Sequence, residues 1–192
     1  MHNIHNIMEI VQLNANAKLS EHLASPSEAA LSNLSELNCV RLSPHFSLGE
    51  FTKSGSHPEV YNIPSHEAIA NLKRLCTWLE VLRLRAGNPI RINSGYRSPQ
   101  LNKRIGGVPT SNHLTGCAVD IRVSGMEQLI RYAAILLDYA DESKQDFDEL
   151  LIEKNRYGAI WLHFAVRPKD RSATQGDACQ SKNRRKVAFI NA

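Results

Sequence analysis

Ser111-Asn112-His113-Leu114-Thr115-Gly116-Cys117-Ala118-Val119-Asp120 is the stretch whose reading decides the fold. From Cys117 to Val123 it reads as a strand, and side chains alternate along a strand. Ala118 and Asp120 then share one face, and Cys117 and Val119 share the other. His113 precedes the strand, on a loop that Gly116 allows to turn. A second histidine lies in Trp161-Leu162-His163-Phe164, where Ala159–Val166 also reads as a strand and Trp161, His163 and Ala165 share a face. Two neighbouring strands and one loop can bring His113, Asp120 and His163 together. Two imidazoles and one carboxylate make a zinc site that keeps its fourth position open, unlike a closed structural site.

Spacing alone does not select these residues. A lone histidine is more often a core or surface residue than a ligand, and His2, His5, His22, His45, His57 and His66 keep that reading. The six residues between His113 and Asp120 are not a signature without their context.

The flanking chain supplies that context. Ile69, Leu72, Leu75, Leu79 and Leu82 recur at helical spacing across 65–86, with Ser65 able to cap and Gly87 able to stop the helix. Ile90-Arg91-Ile92-Asn93 alternates like a strand and runs into Ser94-Gly95-Tyr96-Arg97. Ser98-Pro99 opens a short helix, with proline at its first position, that Gly106-Gly107 ends. Ser124-Gly125-Met126-Glu127 reads as a capping box opening a helix to about Ala140. Phe147–Glu153 and Ala159–Val166 read as two strands joined by a turn around Asn155–Gly158.

Composition bounds the function classes. The 192 residues are 42% hydrophobic and 22% charged, as in an ordinary globular chain. No apolar run approaches the roughly 20 residues that span a bilayer. Met1-His2-Asn3-Ile4-His5-Asn6-Ile7 has neither a basic n-region nor a long apolar h-region, so no secretory signal is expected. The net charge of +4 comes from the end: residues 167–192 carry seven Lys/Arg against two Asp. Lys182-Asn183-Arg184-Arg185-Lys186 reads as a solvated terminus, and no aromatic interleaves with its charges, so nucleic acid is not the expected partner. Cys39, Cys76, Cys117 and Cys179 are scattered, with no CxxC pair, and read as mostly free thiols.

Taken in order, Ser94-Gly95-Tyr96-Arg97-Ser98, Ser111-x-His113-x-x-Gly116-x-Ala118-x-Asp120 and Trp161-x-His163 resemble the zinc D-alanyl-D-alanine carboxypeptidase family, which shares its fold with the hedgehog signalling domain. Ser43-Pro44-x-Phe46-x-Leu48-x-Glu50-Phe51 is similar to a segment of the branch found in phage and gut bacteria. The resemblance covers about 43–167 and implies an α+β fold, with a small, mostly antiparallel sheet carrying the zinc site between flanking helices. It divides the chain into a helical extension over 1–42, a zinc peptidase domain over 43–167 and a basic tail over 168–192.

It also implies one Zn2+ on His113, Asp120 and His163. The substrate would be the peptide stem of peptidoglycan, cut as a D-alanyl-D-alanine carboxypeptidase or as an L,D- or D,D-endopeptidase. Arg97 becomes the cation that stabilises an oxyanion or holds a substrate carboxylate. Ser111 either bonds substrate or braces the His113 loop, and Tyr96 either packs or lines the pocket. Trp161 reads as a wall. Synthesis in the cytoplasm with a phage-type release to the wall fits the lack of a signal.

Hydrolysis at such a metal also needs a carboxylate that moves a proton. Many members of the family carry Glu or Asp three residues before the last histidine, and here that position is Ile160. Glu153, at the end of Asp148-Glu149-Leu150-Leu151-Ile152-Glu153, is the expected replacement. Glu149 is the second choice, on the same face and about 13 Å away by strand rise. The missing acid at 160 also supports a different class, a zinc-stabilised cell-wall or protein binding module without catalysis.

Overall fold

The computed structural model describes residues 39–167 and 185–191. The helical extension expected over 1–42 and Cys179 fall outside the described residues, apart from the extension's last four positions, 39–42.

Phe46, just before the first helix, α1 (Leu48–Thr52), and Phe51 within it meet edge to face at 6.1 Å, both buried. The opening segment therefore belongs to the core. The long helix α2 (His66–Ala86) begins where the Ser65 side chain accepts from the Ala68 amide, and ends at Gly87, which adopts φ 71°. Leu72, Leu75, Leu79 and Leu82 are wholly buried along one face. Each such leucine contributes about 1.5–3 kcal/mol relative to exposure, so packing outweighs intrinsic propensity in placing this helix. Strand β1 (Ile92–Ser94) follows, then α3 (Pro99–Arg104), capped by Ser98. A single 3-10 turn, Asn112–Thr115, leads into β2 (Ala118–Arg122).

Helix α4 (Met126–Ser143) opens differently from the capping-box reading. Gly125 is the N-cap, and it is Gln128, not Glu127, whose side-chain oxygen accepts from the Ser124 amide and hydroxyl. Moving the cap one residue on moves the reciprocal partner with it. Strands β3 (Phe147–Lys154) and β4 (Ile160–Val166) form the expected hairpin.

A fifth strand, β5 (Lys186–Asn191), comes from the segment read as a solvated tail. It pairs parallel with β3, and the sheet runs β1-β2-β4-β3-β5, antiparallel at every other contact. One face packs on α2 and α4 through Val119, Ile121, Leu150, Leu162 and Phe164. There Trp78 of α2 stands at 5.2 Å from Phe164 and 6.2 Å from Phe147. The opposite face carries the alternate residues, among them Asp120, His163, Glu149 and Glu153. The fold is α+β with one mostly antiparallel sheet, as the sequence reading expects. Among the described residues no helix is long and apolar enough to cross a membrane.

Candidate metal centre

Register sets the centre. Asp120 of β2 pairs with His163 of β4, which pairs in turn with Leu151 of β3. Opposed residues point to the same face, so strand pairing alone sets a carboxylate beside an imidazole. Asp120 Oδ1 lies 2.9 Å from His163 Nδ1.

His113 arrives from the 3-10 turn. Ser111 caps that turn by accepting from the His113 amide, and Gly116 closes it at φ 72°. A side chain at Gly116 would place its Cβ 2.5 Å from the Ala68 carbonyl oxygen, so only glycine lets the turn seat against α2. Asn71 of α2 donates to the Thr115 carbonyl at 3.0 Å and holds the same turn. His113 Nδ1 donates to the Gly95 carbonyl at 2.6 Å, and Nε2 lies 3.3 Å from Asp120 Oδ1. Gly95 is itself held close, since a Cβ there would meet the Phe51 backbone at 2.8 Å.

His113, Asp120 and His163 are all buried, and their candidate ligand atoms lie within 4.8 Å of one another. Donors about 2.0–2.1 Å from a tetrahedral ion sit roughly 3.3 Å apart, close to the 2.9 and 3.3 Å found here. The residues therefore fit a divalent ion. Cys117 is buried on the helix face, away from the cluster, as strand alternation requires.

The three buried groups also perturb one another's charge. Burial works to raise the Asp120 carboxyl, but the two imidazoles hold it far below the usual carboxylate range. Burial likewise works to lower His163, yet its contacts with Asp120 and Glu149 push it up to about 9. The anionic carboxylate is thereby secured, with its second oxygen, Oδ2, taken by Arg97 Nη2 at 2.7 Å. Arg97 also donates from Nε to the Ser94 hydroxyl at 3.0 Å, and its amide donates to the His113 carbonyl. The guanidinium expected to meet substrate bonds the Asp120 carboxylate instead.

The remaining expected residues fall as follows. Tyr96 is buried in the core cluster, and burial raises its phenol, so it packs. Ser111 braces the His113 turn. Glu153 pairs with Trp161, whose indole Nε1 donates to Glu153 Oε2 at 2.6 Å. Glu149 reaches His163, with Oε2 3.4 Å from Nε2, and also meets Asn112 and Lys186. The imidazole of His163 is the largest cause that holds the Glu149 carboxyl down at about 2, against burial and with Lys186 adding to it.

Three contributors were not legible in the sequence. Asn62 donates to the carbonyls of Thr52 and Tyr96 and accepts from the Ser98 amide, fixing the loop that carries Arg97. Asn112 donates to Asp148 and Glu149. Lys186 pairs with Glu149 at 3.0 Å. A single asparagine or lysine has no spacing that announces such a part.

Two imidazoles and a carboxylate, gathered where the 3-10 turn meets β2 and β4, form a cluster that could hold a metal ion. A family model described as Peptidase M15 matches residues 44–144, more than half of the chain, and the chain belongs to that family of metal-dependent peptidases. The match contains His113 and Asp120 and ends before Glu149, Glu153 and His163. Among curated proteins, none matches the chain.

Proposed function

We propose that the protein is a zinc-dependent peptidase that cleaves the peptide stems of bacterial peptidoglycan, with Glu153 as the general base. The observation that carries this is the common face: three donors fit for one ion, with a fixed carboxylate beside them. His113, Asp120 and His163 would hold the zinc. Bound there, the ion supplies a Lewis acid that polarises the scissile carbonyl and acidifies water.

The chain supplies the rest. Glu153 is two residues along β3 from Leu151, the partner of His163, and so about 7 Å away by strand rise on the same face. The Trp161 indole anchors one of its oxygens, which leaves the other to take a proton from the attacking water and return it to the leaving amine. Glu149 already faces Lys186, Asn112 and His163, so it is the poorer proton carrier. Arg97 acts through Asp120, keeping Oδ2 occupied so that Oδ1 faces the imidazoles. Ile160 carries no acid and turns to the apolar layer with Leu162 and Phe164, whereas Glu153 lies on the His163 face from the neighbouring strand.

The deciding experiment incubates the zinc-loaded protein with purified peptidoglycan and identifies the new termini by mass spectrometry. A released terminal D-alanine marks a carboxypeptidase, and new termini within the stem or cross-link mark an endopeptidase. No new terminus from a folded, zinc-loaded protein would overturn the reading in favour of a binding module.

A further inference from the structure

Accepting zinc at this centre, as the preceding reading does, we propose that the C-terminal strand β5 belongs to it: Lys186 and Asn112 clamp Glu149 as the carboxylate that orients His163. The observation begins with an unsatisfied atom. His163 Nε2 is buried and makes no hydrogen bond, while Nδ1 faces Asp120. The carboxylate that faces Nε2 is Glu149, at 3.4 Å.

The two histidines then follow one rule. His113 gives its Nδ1 proton to the Gly95 carbonyl and turns Nε2 to the cluster. His163 turns Nδ1 to the cluster and presents Nε2–H to Glu149. An acceptor behind a ligating imidazole fixes its tautomer and ring angle and raises its basicity. Glu149 is a positioning residue and need not touch substrate.

Glu149 in turn is held at both oxygens. Asn112, next to His113 in the chain, donates to Oε2 at 3.1 Å, and Lys186 pairs with Oε1 at 3.0 Å. Lys186 owes its position to Arg185, whose guanidinium bonds Asp141 and Asp146 at 2.8 Å each and lies over the Phe147 ring. Those bonds anchor the start of β5 and set Lys186 opposite Glu149 in the parallel ladder. The clamp thus depends on residues beyond those the family model matches.

The test measures zinc affinity of the full chain by chelator competition, and the 15N and 1H signals of the His163 ring in the zinc form. Neither readout requires a peptide, so a failure to cleave wall material leaves this inference standing. Uptake of no zinc by the parent protein would sink both readings together. Glu149→Leu should weaken zinc binding about 10–100-fold and shift the His163 Nε2–H signal. Lys186→Met should weaken it at least about threefold, and Lys186→Arg should restore it to within about twofold, since both cations can reach the carboxylate. Affinity within twofold of the parent and an unmoved Nε2 signal in Glu149→Leu would overturn the role of Glu149. If that variant does not fold, Lys186→Met decides, because its side chain is 55% exposed and its loss spares the core. Parent-like affinity and an unmoved signal there would overturn the clamp.

Discussion

Asp120 sits directly opposite His163 across the β2–β4 ladder, and Arg97 holds the Asp120 oxygen that His163 does not contact. One carboxylate therefore has each oxygen assigned, one to the imidazoles and one to a guanidinium. The same arrangement keeps a buried anion paired, which avoids the several kcal/mol that an uncompensated buried charge costs.

Removing one of the three donors should empty the site without unfolding the chain. In His163→Ala, elemental analysis is expected to find zinc far below one per chain, with parent-like circular dichroism. A full equivalent of zinc in that variant would show that the ion binds elsewhere.

The Arg97 prediction separates two roles. If it acts through Asp120, Arg97→Met weakens zinc binding about 10–100-fold, as loss of an outer partner of a ligand does. Chelator competition measures this. Unchanged zinc affinity with a raised KM for peptide would return Arg97 to substrate binding.

For the base, Glu153→Gln should bind zinc normally and lose hydrolysis by about 100-fold or more. Trp161→Phe, which keeps a ring but loses the indole donor, should cost about tenfold, the scale of one hydrogen bond to a charged group. Near-parent turnover in the glutamine variant would reject Glu153 as the proton carrier.

The Cys76 thiol gives a pH prediction. Burial pushes it up to about 12 from an ordinary value near 9. The folded state therefore keeps its proton after the unfolded chain has released it. Its contribution to stability is complete below about pH 9 and is lost as pH rises toward 12, by about 1.4 kcal/mol per unit. Chemical denaturation at pH 8 and 10 should show this fall in the parent and a smaller one in Cys76→Ala. At pH 8, alkylation should reach exposed Cys39 well before buried Cys76 and Cys117.

How much of this could be read in advance followed from the range of each interaction. The α2 helix was legible because Ser65, the leucine spacing and Gly87 are all local. The grouping of His113, Asp120 and His163 was legible because their motifs resemble a known family and strand alternation sets Asp120 and His163 on one face; the structure brings the three within 4.8 Å. The α4 cap was misplaced by one residue because Glu127 and Gln128 both lie at plausible offsets, and only the Gly125 conformation decides between them. Lys186 in a run of basic residues looked like a solvated end. What makes it part of the sheet is Asp141, Asp146 and Glu149, all more than thirty residues away in sequence. The commitment of Arg97 to Asp120 depended on a bond spanning 23 positions, which charge and loop context could not reveal.

Alternation on β4 has one further consequence. Leu162 and Phe164 feed the apolar layer, whereas Trp161, His163 and Ala165 face the opposite way. Deleting one residue inside this strand reverses the parity of everything on one side of the cut. The slip would carry an imidazole into the leucine layer, or a phenyl ring out to the ligands, so stability and metal would fail together. A two-residue deletion keeps the parity and shifts only the register. Length changes in the Asn155–Gly158 turn, by contrast, can be absorbed before β4 begins. Variation in this hairpin should therefore be tolerated at its tip, and along the strand only in steps of two.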